Sequence, residues 1–281
     1  PPPRPAPVAV RAVLVPPLVP PSLRNTFAAA PLPPSLPPPH GSSPLAVPYL
    51  GILASLQLID PSVANIALVK ASAAMQMEGP TLALAASVST LAQAATVLVM
   101  GFLGDRYGRR RVLAASLLLA LVGNLLSMLA PAADVFLLGR ALTGIALGSV
   151  LTGTFASVRA VSRPGHVSAA LGLWNLLIVV GFISGSLIGG WMAVMHWRLA
   201  MALVPLICLV SLPLLPLLLP SIPANRTLRA DRAGLITIGS AVVLFLYGIN
   251  HATPGLRSIS FWLPTALGML LFAVHIAIER R

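Results

Sequence analysis

Apolar residues in this chain neither alternate nor keep to one helical face; they run on for twenty positions and more. Charge-free stretches cover 79–104, 112–133, 141–158, 164–197, 199–225, 233–256 and 258–278, and 46–69 is interrupted only by Asp60. A helix needs about 20 apolar residues to cross a bilayer. The pattern therefore predicts eight spans, at 46–69, 81–103, 112–130, 135–156, 167–190, 198–219, 233–251 and 259–278. Lipid offers the backbone no hydrogen-bond partner, so each span is predicted to be a helix. Runs this long do not suit barrel strands, which alternate over about ten residues.

The expected fold class is an all-α integral membrane protein. A six-helix bundle is expected over 45–220, followed by a linker and two further transmembrane helices over 221–281. Residues 1–44 stand apart, with sixteen prolines among them. Proline resists helix interiors, so this stretch reads as an extended or disordered tail, or as a reading frame extended too far. The prolines also interrupt any continuous apolar core of a signal peptide. PxxP spacings in it would suit an SH3-like partner, but composition alone favours an unstructured tail.

Composition narrows the function classes. Of 281 residues, 57% are hydrophobic and 9% charged, against about 25% charged in an ordinary soluble domain. A soluble globular enzyme is thereby set aside. There is no P-loop to drive transport by ATP hydrolysis, and no Ser-His-Asp or zinc motif. The five histidines lack metal-ligand spacing, and the single Cys208 cannot form an intrachain disulfide. No metal and no cofactor is expected.

The charge is one-sided, 18 basic residues against 6 acidic, for a net +12. A nucleic-acid partner would need a basic patch or stripe, whereas these basics sit singly or in short segments between apolar runs. The positive-inside rule accounts for them better. With the N-terminus in the cytoplasm, 14 basic residues face inward and three, Lys70, Arg198 and Arg257, face outward. Arg140 lies near the start of the fourth span.

Asp60 sits within the first span, where a carboxylate costs about 2.5–3.5 kcal/mol and needs a partner or a cavity. It reads as a protonatable site; the alternative is an Asp capping a helix broken at Pro61. Arg140 reads as a permanent charge that biases such an acid, since guanidinium does not lose its proton, or else as a side chain snorkelling to the outer interface. Gly181, Gly185 and Gly189 fall at i, i+4 and i+8, a flat face that lets helices approach closely; Gly190 follows them. Between the second and third spans, Gly101, Asp105, Arg106, Gly108, Arg109 and Arg110 form a short glycine-containing basic segment, read alone as a topological anchor. Gln57, Asn65, Gln93, Asn124, Asn175 and Asn250 either line a substrate path or form interhelical hydrogen bonds. Trp174 and Trp191 could stack on a cationic substrate, although Trp191 suits an interfacial belt.

Several of these segments resemble the major facilitator superfamily. Gly101-Phe-Leu-Gly-Asp105-Arg106-Tyr-Gly108-Arg109-Arg110 is similar to its G-x-L-A/S-D-R/K-x-G-R-R/K pattern, with only Gly104 departing. The resemblance implies a cytoplasmic latch in which Asp105 and Arg109 hold two halves closed, with Gly101 and Gly108 shaping the turn. Leu58 to Leu68 resembles the L-D-x-T-x-V-N-x-A-L-P motif of drug:proton antiporters at Asp60, Asn65, Ala67 and Leu68. Arg140, Gly144 and Gly148 match R-x-x-x-G-x-x-x-G, a segment associated with proton coupling. Gly181 to Gly190 resembles the antiporter pattern G-x-x-x-G-P-x-x-G-G, with Ser186 where proline is expected. His196-Trp197-Arg198 leading to Pro205, and Arg229-Ala-Asp231-Arg-Ala-Gly234, are similar to the 14-span EmrB/QacA-type branch.

The resemblance implies proton-coupled antiport of small lipophilic or cationic compounds, driven by the proton gradient, in a bacterial cytoplasmic membrane. The partners expected are the lipid bilayer, a small-molecule substrate and a missing C-terminal half or second chain. Eight spans fall short of fourteen, so the alternative is a truncated, non-transporting fragment or a partner-binding half.

Overall fold

In a computed structural model the described residues are 43–221, 224, 232–250 and 259–279. All of them lie in one unit, residues 38–281. The tail reading lies outside the described residues, Ser43 and Pro44 excepted. Among the described residues eight helices follow one another: α1 (Ala46–Ala74), α2 (Gly79–Tyr107), α3 (Arg109–Leu129), α4 (Ala133–Val161), α5 (Val167–Met195), α6 (Trp197–Leu218), α7 (Arg232–Asn250) and α8 (Ile259–Glu279). The first six are long and apolar enough to cross a membrane. In α7 and α8 the apolar cores are shorter, Ile236–Gly248 and Phe261–Ala277.

Most helices overrun the predicted spans. α1, α2, α4 and α5 each have 29 residues, so Lys70, Asp105, Arg106 and Arg159 are helical rather than in loops. Charged residues tolerate a helix end where their heads can reach water or a carbonyl. The connection between α2 and α3 shrinks to Gly108, whose φ of 97° lies in a region that a residue with a Cβ rarely adopts. Gly101 therefore does not shape the turn; it is mid-helix, and a Cβ there would meet only Thr152 at 3.8 Å. Pro61 does not break α1 either. The helix runs through it, so Asp60 caps no helix end.

Helices in lipid gain no hydrophobic drive from meeting each other, and close backbone approach takes its place. Three pairs pack most extensively within the six-helix set, α2 with α4, α3 with α4 and α1 with α5. On α5 the glycine stripe does face α1: a Cβ at Gly181 would strike Ser55, at Gly185 Ile59 and at Gly189 Val63. Gly190 is off this stripe, its nearest neighbour being Ile66 at 3.8 Å. On α4, Gly144 lies on the backbone of Ser89 and Gly148 on Gln93 and Thr96 of α2, while Gly139 meets Gly123 and Ser127 of α3. Among the described residues, α7 meets the six-helix set only through α2 and pairs otherwise with α8.

Cations close the helix ends. Lys70 donates to the carbonyls of Ala193 (3.1 Å) and Val194 (2.7 Å) at the end of α5. Arg198 donates to Met128 (2.7 Å) and Ala130 (3.2 Å) at the end of α3, and its guanidinium lies 4.3 Å from the Trp197 ring centre. A positive charge on the last carbonyls suits the negative end of the helix dipole.

Candidate functional site

Arg140, Gly144 and Gly148 are spaced at i, i+4 and i+8, which puts them on one stripe of α4. The two glycines of that stripe bring α2 into contact, so Arg140 emerges where α1, α2 and α4 converge. There its NH1 lies 2.8 Å from Asp60 Oδ1. The two side chains are 2% and 1% exposed. This is a buried ion pair, and it removes the reading of Arg140 as an interfacial snorkel. Ser89 of α2 donates to the second carboxylate oxygen at 3.3 Å. The same Ser89 offers its backbone to Gly144, so the glycine contact that joins α2 to α4 also aims the hydroxyl.

The pair is joined by one guanidinium nitrogen, and Nε of Arg140 is buried without a hydrogen-bond partner. Removing one member of a buried pair leaves an uncompensated charge, at a cost of about 3–5 kcal/mol. A proton arriving on Asp60 does the same to Arg140, which stays charged. Protonation therefore favours any rearrangement of α1 against α4 that hydrates or re-pairs the guanidinium.

At the α2–α3 turn, Arg109 makes a forked contact with Asp105 Oδ1, through Nε at 3.0 Å and NH2 at 2.8 Å. Its third nitrogen donates to Ala156 O of α4 at 2.7 Å. Arg110 reaches Leu219 O, just past α6, at 3.5 Å, and Arg106 lies over the Tyr107 ring at 5.6 Å. The segment expected as a short latch loop is thus a one-residue corner that ties α2 to α3, α4 and α6.

The expected substrate-path residues are scattered. Asn65 and Asn175 are exposed, Gln57 and Gln93 partly so, and Asn175 donates to Leu171 of its own helix at 3.2 Å. Asn124 is an interhelical tie, donating to Thr143 Oγ1 at 3.1 Å. Trp174 is buried against Phe155, ring centres 5.7 Å apart, whereas Trp191 is exposed. The side chain of Asn250 and the residues Arg229, Ala230 and Asp231 lie outside the described residues. Sequence reasoning missed Ser89, although Ser89, Gln93 and Thr96 at i, i+4 and i+7 already marked one polar stripe on α2.

The sequence pattern of the family described as Major Facilitator Superfamily matches residues 50–278. Among curated proteins, the chain is 26% identical over 197 residues to the "Major facilitator superfamily multidrug transporter mfsC" of Aspergillus fumigatus, covering 67% of this chain and 37% of that protein. It is 27% identical to the "Puromycin resistance protein pur8" of Streptomyces alboniger, covering 80% of this chain and 45% of that one. To the "Multidrug resistance protein B homolog" of Mycobacterium tuberculosis it is 25% identical, covering 76% and 39%. The chain thus spans less than half the length of these relatives. Among solved structures, a peptide transporter POT in complex with sulfate superposes with a TM-score of 0.63 at 16% identity, over 87% of this chain and 54% of that one. The POT family transporter PepTSo gives 0.59 at 16%, over 85% and 54%. At such identities the likeness is one of fold.

Proposed function

The chain belongs to the major facilitator superfamily, and from that premise we propose that its helices hold the proton-coupling element of an efflux antiporter for small lipophilic or cationic compounds. The observation that supports this reading is the buried Asp60–Arg140 pair at 2.8 Å. An ionisable residue inside a membrane bundle is functional by default, and here a titratable acid is paired with a base that does not titrate. A proton and a cationic substrate compete for one carboxylate: either displaces Arg140 from it, and neither does so while the other is bound. That exclusion is the minimum requirement for antiport. The multidrug and puromycin-resistance names of the relatives point to the substrate class, and the gradient of protons supplies the drive without ATP. The excess of basic residues supports a topology with the N-terminus and the α2–α3 turn on the cytoplasmic side, in an inner membrane.

The test is proton-coupled uptake of a fluorescent lipophilic cation into inverted membrane vesicles containing the protein. Asp60→Asn is expected to abolish uptake driven by the pH gradient while leaving the protein in the membrane. Uptake that remains gradient-driven in Asp60→Asn would overturn the assignment.

A further inference from the structure

The α2–α3 corner borders two adjoining hollows of opposite character. One, of about 240 Å³, is lined by Tyr107, Gly108, Arg110, Arg111, Ser221 and Ala224. The other, of about 290 Å³, is a groove between α2 and α3 lined by Met100, Leu103, Val112, Ala115 and Leu119. Tyr107 and Arg111 line both. Met100, Leu103 and Tyr107 fall at i, i+3 and i+7 on α2, as Val112, Ala115 and Leu119 do on α3, so two apolar stripes form the groove walls. From Arg111 to Leu119 the groove runs about 12 Å along the helix.

Among the described residues the charge at the polar end is unbalanced. Asp105 is the carboxylate of the corner, and Arg109 occupies it. Among the described residues that leaves Arg110 and Arg111 without a carboxylate partner. Arg111 is exposed, and among the described residues nothing forms a hydrogen bond or ion pair with its side chain. Two spanning helices end here, so the corner lies at a bilayer surface. A guanidinium at that height, above an apolar groove that descends beside it, matches a molecule with an anionic head and a hydrocarbon tail.

We propose that this corner is a binding site for an anionic phospholipid, its phosphate on Arg111 and Arg110 and one acyl chain in the groove between α2 and α3. A free phosphate shares the head chemistry but leaves the groove unused. A zwitterionic lipid fills the groove but brings its own cation to the arginines. An occupied site fastens the α2–α3 corner to the membrane surface.

The experiment is native mass spectrometry of the full chain, delipidated in detergent and titrated with dioleoyl phosphatidylglycerol or dioleoyl phosphatidylcholine. Phosphatidylglycerol is expected to be retained about tenfold more tightly, with that preference lost in Arg111→Gln and kept in Arg111→Lys. Ala115→Trp, which fills the groove, is expected to weaken both lipids. Millimolar inorganic phosphate is expected not to displace phosphatidylglycerol. Equal retention of the two lipids, an unchanged preference in Arg111→Gln, or full displacement by phosphate would each overturn the proposal, the last by assigning the arginines to a free anion. Circular dichroism of each variant separates loss of binding from loss of fold.

Discussion

Ser186 of α5 donates to Ser62 of α1 at 3.1 Å, two residues from Asp60 along the chain. At position 186 the antiporter pattern would place a proline, and α5 is instead continuous from Val167 to Met195. Its glycine stripe reaches α1 without a proline kink. Proline at 186 removes the amide that bonds the Phe182 carbonyl and clashes with that turn, at about 3 kcal/mol. Ser186→Pro is therefore expected to lower the melting temperature in detergent strongly. Ser186→Ala, losing one hydrogen bond worth about 1 kcal/mol, is expected to shift it slightly.

The Asp60–Arg140 pair makes a thermodynamic prediction separate from transport. Arg140→Met leaves a buried carboxylate unpaired and is expected to destabilise by about 3–5 kcal/mol. The double variant Asp60→Leu/Arg140→Met removes both charges and is expected to recover most of that loss, as well-packed apolar replacements of buried pairs do. A double-mutant cycle on denaturation in detergent checks it. Recovery of stability without recovery of transport separates the role of the pair in coupling from its role in folding.

Glycine positions divide by what faces them. At Gly185 and Gly189 any side chain meets Ile59 or Val63 of α1, and valine there is expected to push α1 away and carry Asp60 out of reach of Arg140. Gly172 has nothing within 4 Å of a built Cβ, so Gly172→Ala is expected to stabilise by up to about 1 kcal/mol through helix propensity. Thermal unfolding of Gly185→Val beside Gly172→Ala should move in opposite directions.

Helix number and order were legible because lipid admits only long apolar runs, and such runs show without any alignment. Helix ends were not. Lys70, Asp105 and Arg106 were read as loop because they are charged, whereas long side chains at a helix end reach carbonyls or water and remain helical. Asp60 and Arg140 each stood out singly; their meeting depends on register across 80 residues, set by contacts such as Gly144 on Ser89 and Gly189 on Val63. Ser89 itself gave a weak signal. A serine or threonine in an apolar helix commonly bonds its own preceding turn, as Ser87 does to Ala83 and Thr154 to Val150, and only the tertiary contact turns Ser89 toward a carboxylate.

The corner at Gly108 separates a structural role from a latch role. Gly108→Ala forces a Cβ onto a φ of 97° and is expected to cost about 1–3 kcal/mol. Asp105 is different: its side chain is 47% exposed, and its partner Arg109 is an i,i+4 neighbour. Pairs of that kind are worth less than about 1 kcal/mol. Arg109 also keeps its bond to Ala156 when the carboxylate is gone. Asp105→Asn is thus expected to melt with the parent protein and yet to slow gradient-driven uptake into inverted vesicles. Unaltered uptake at unaltered stability would assign Asp105 to the corner alone and remove it from the transport cycle.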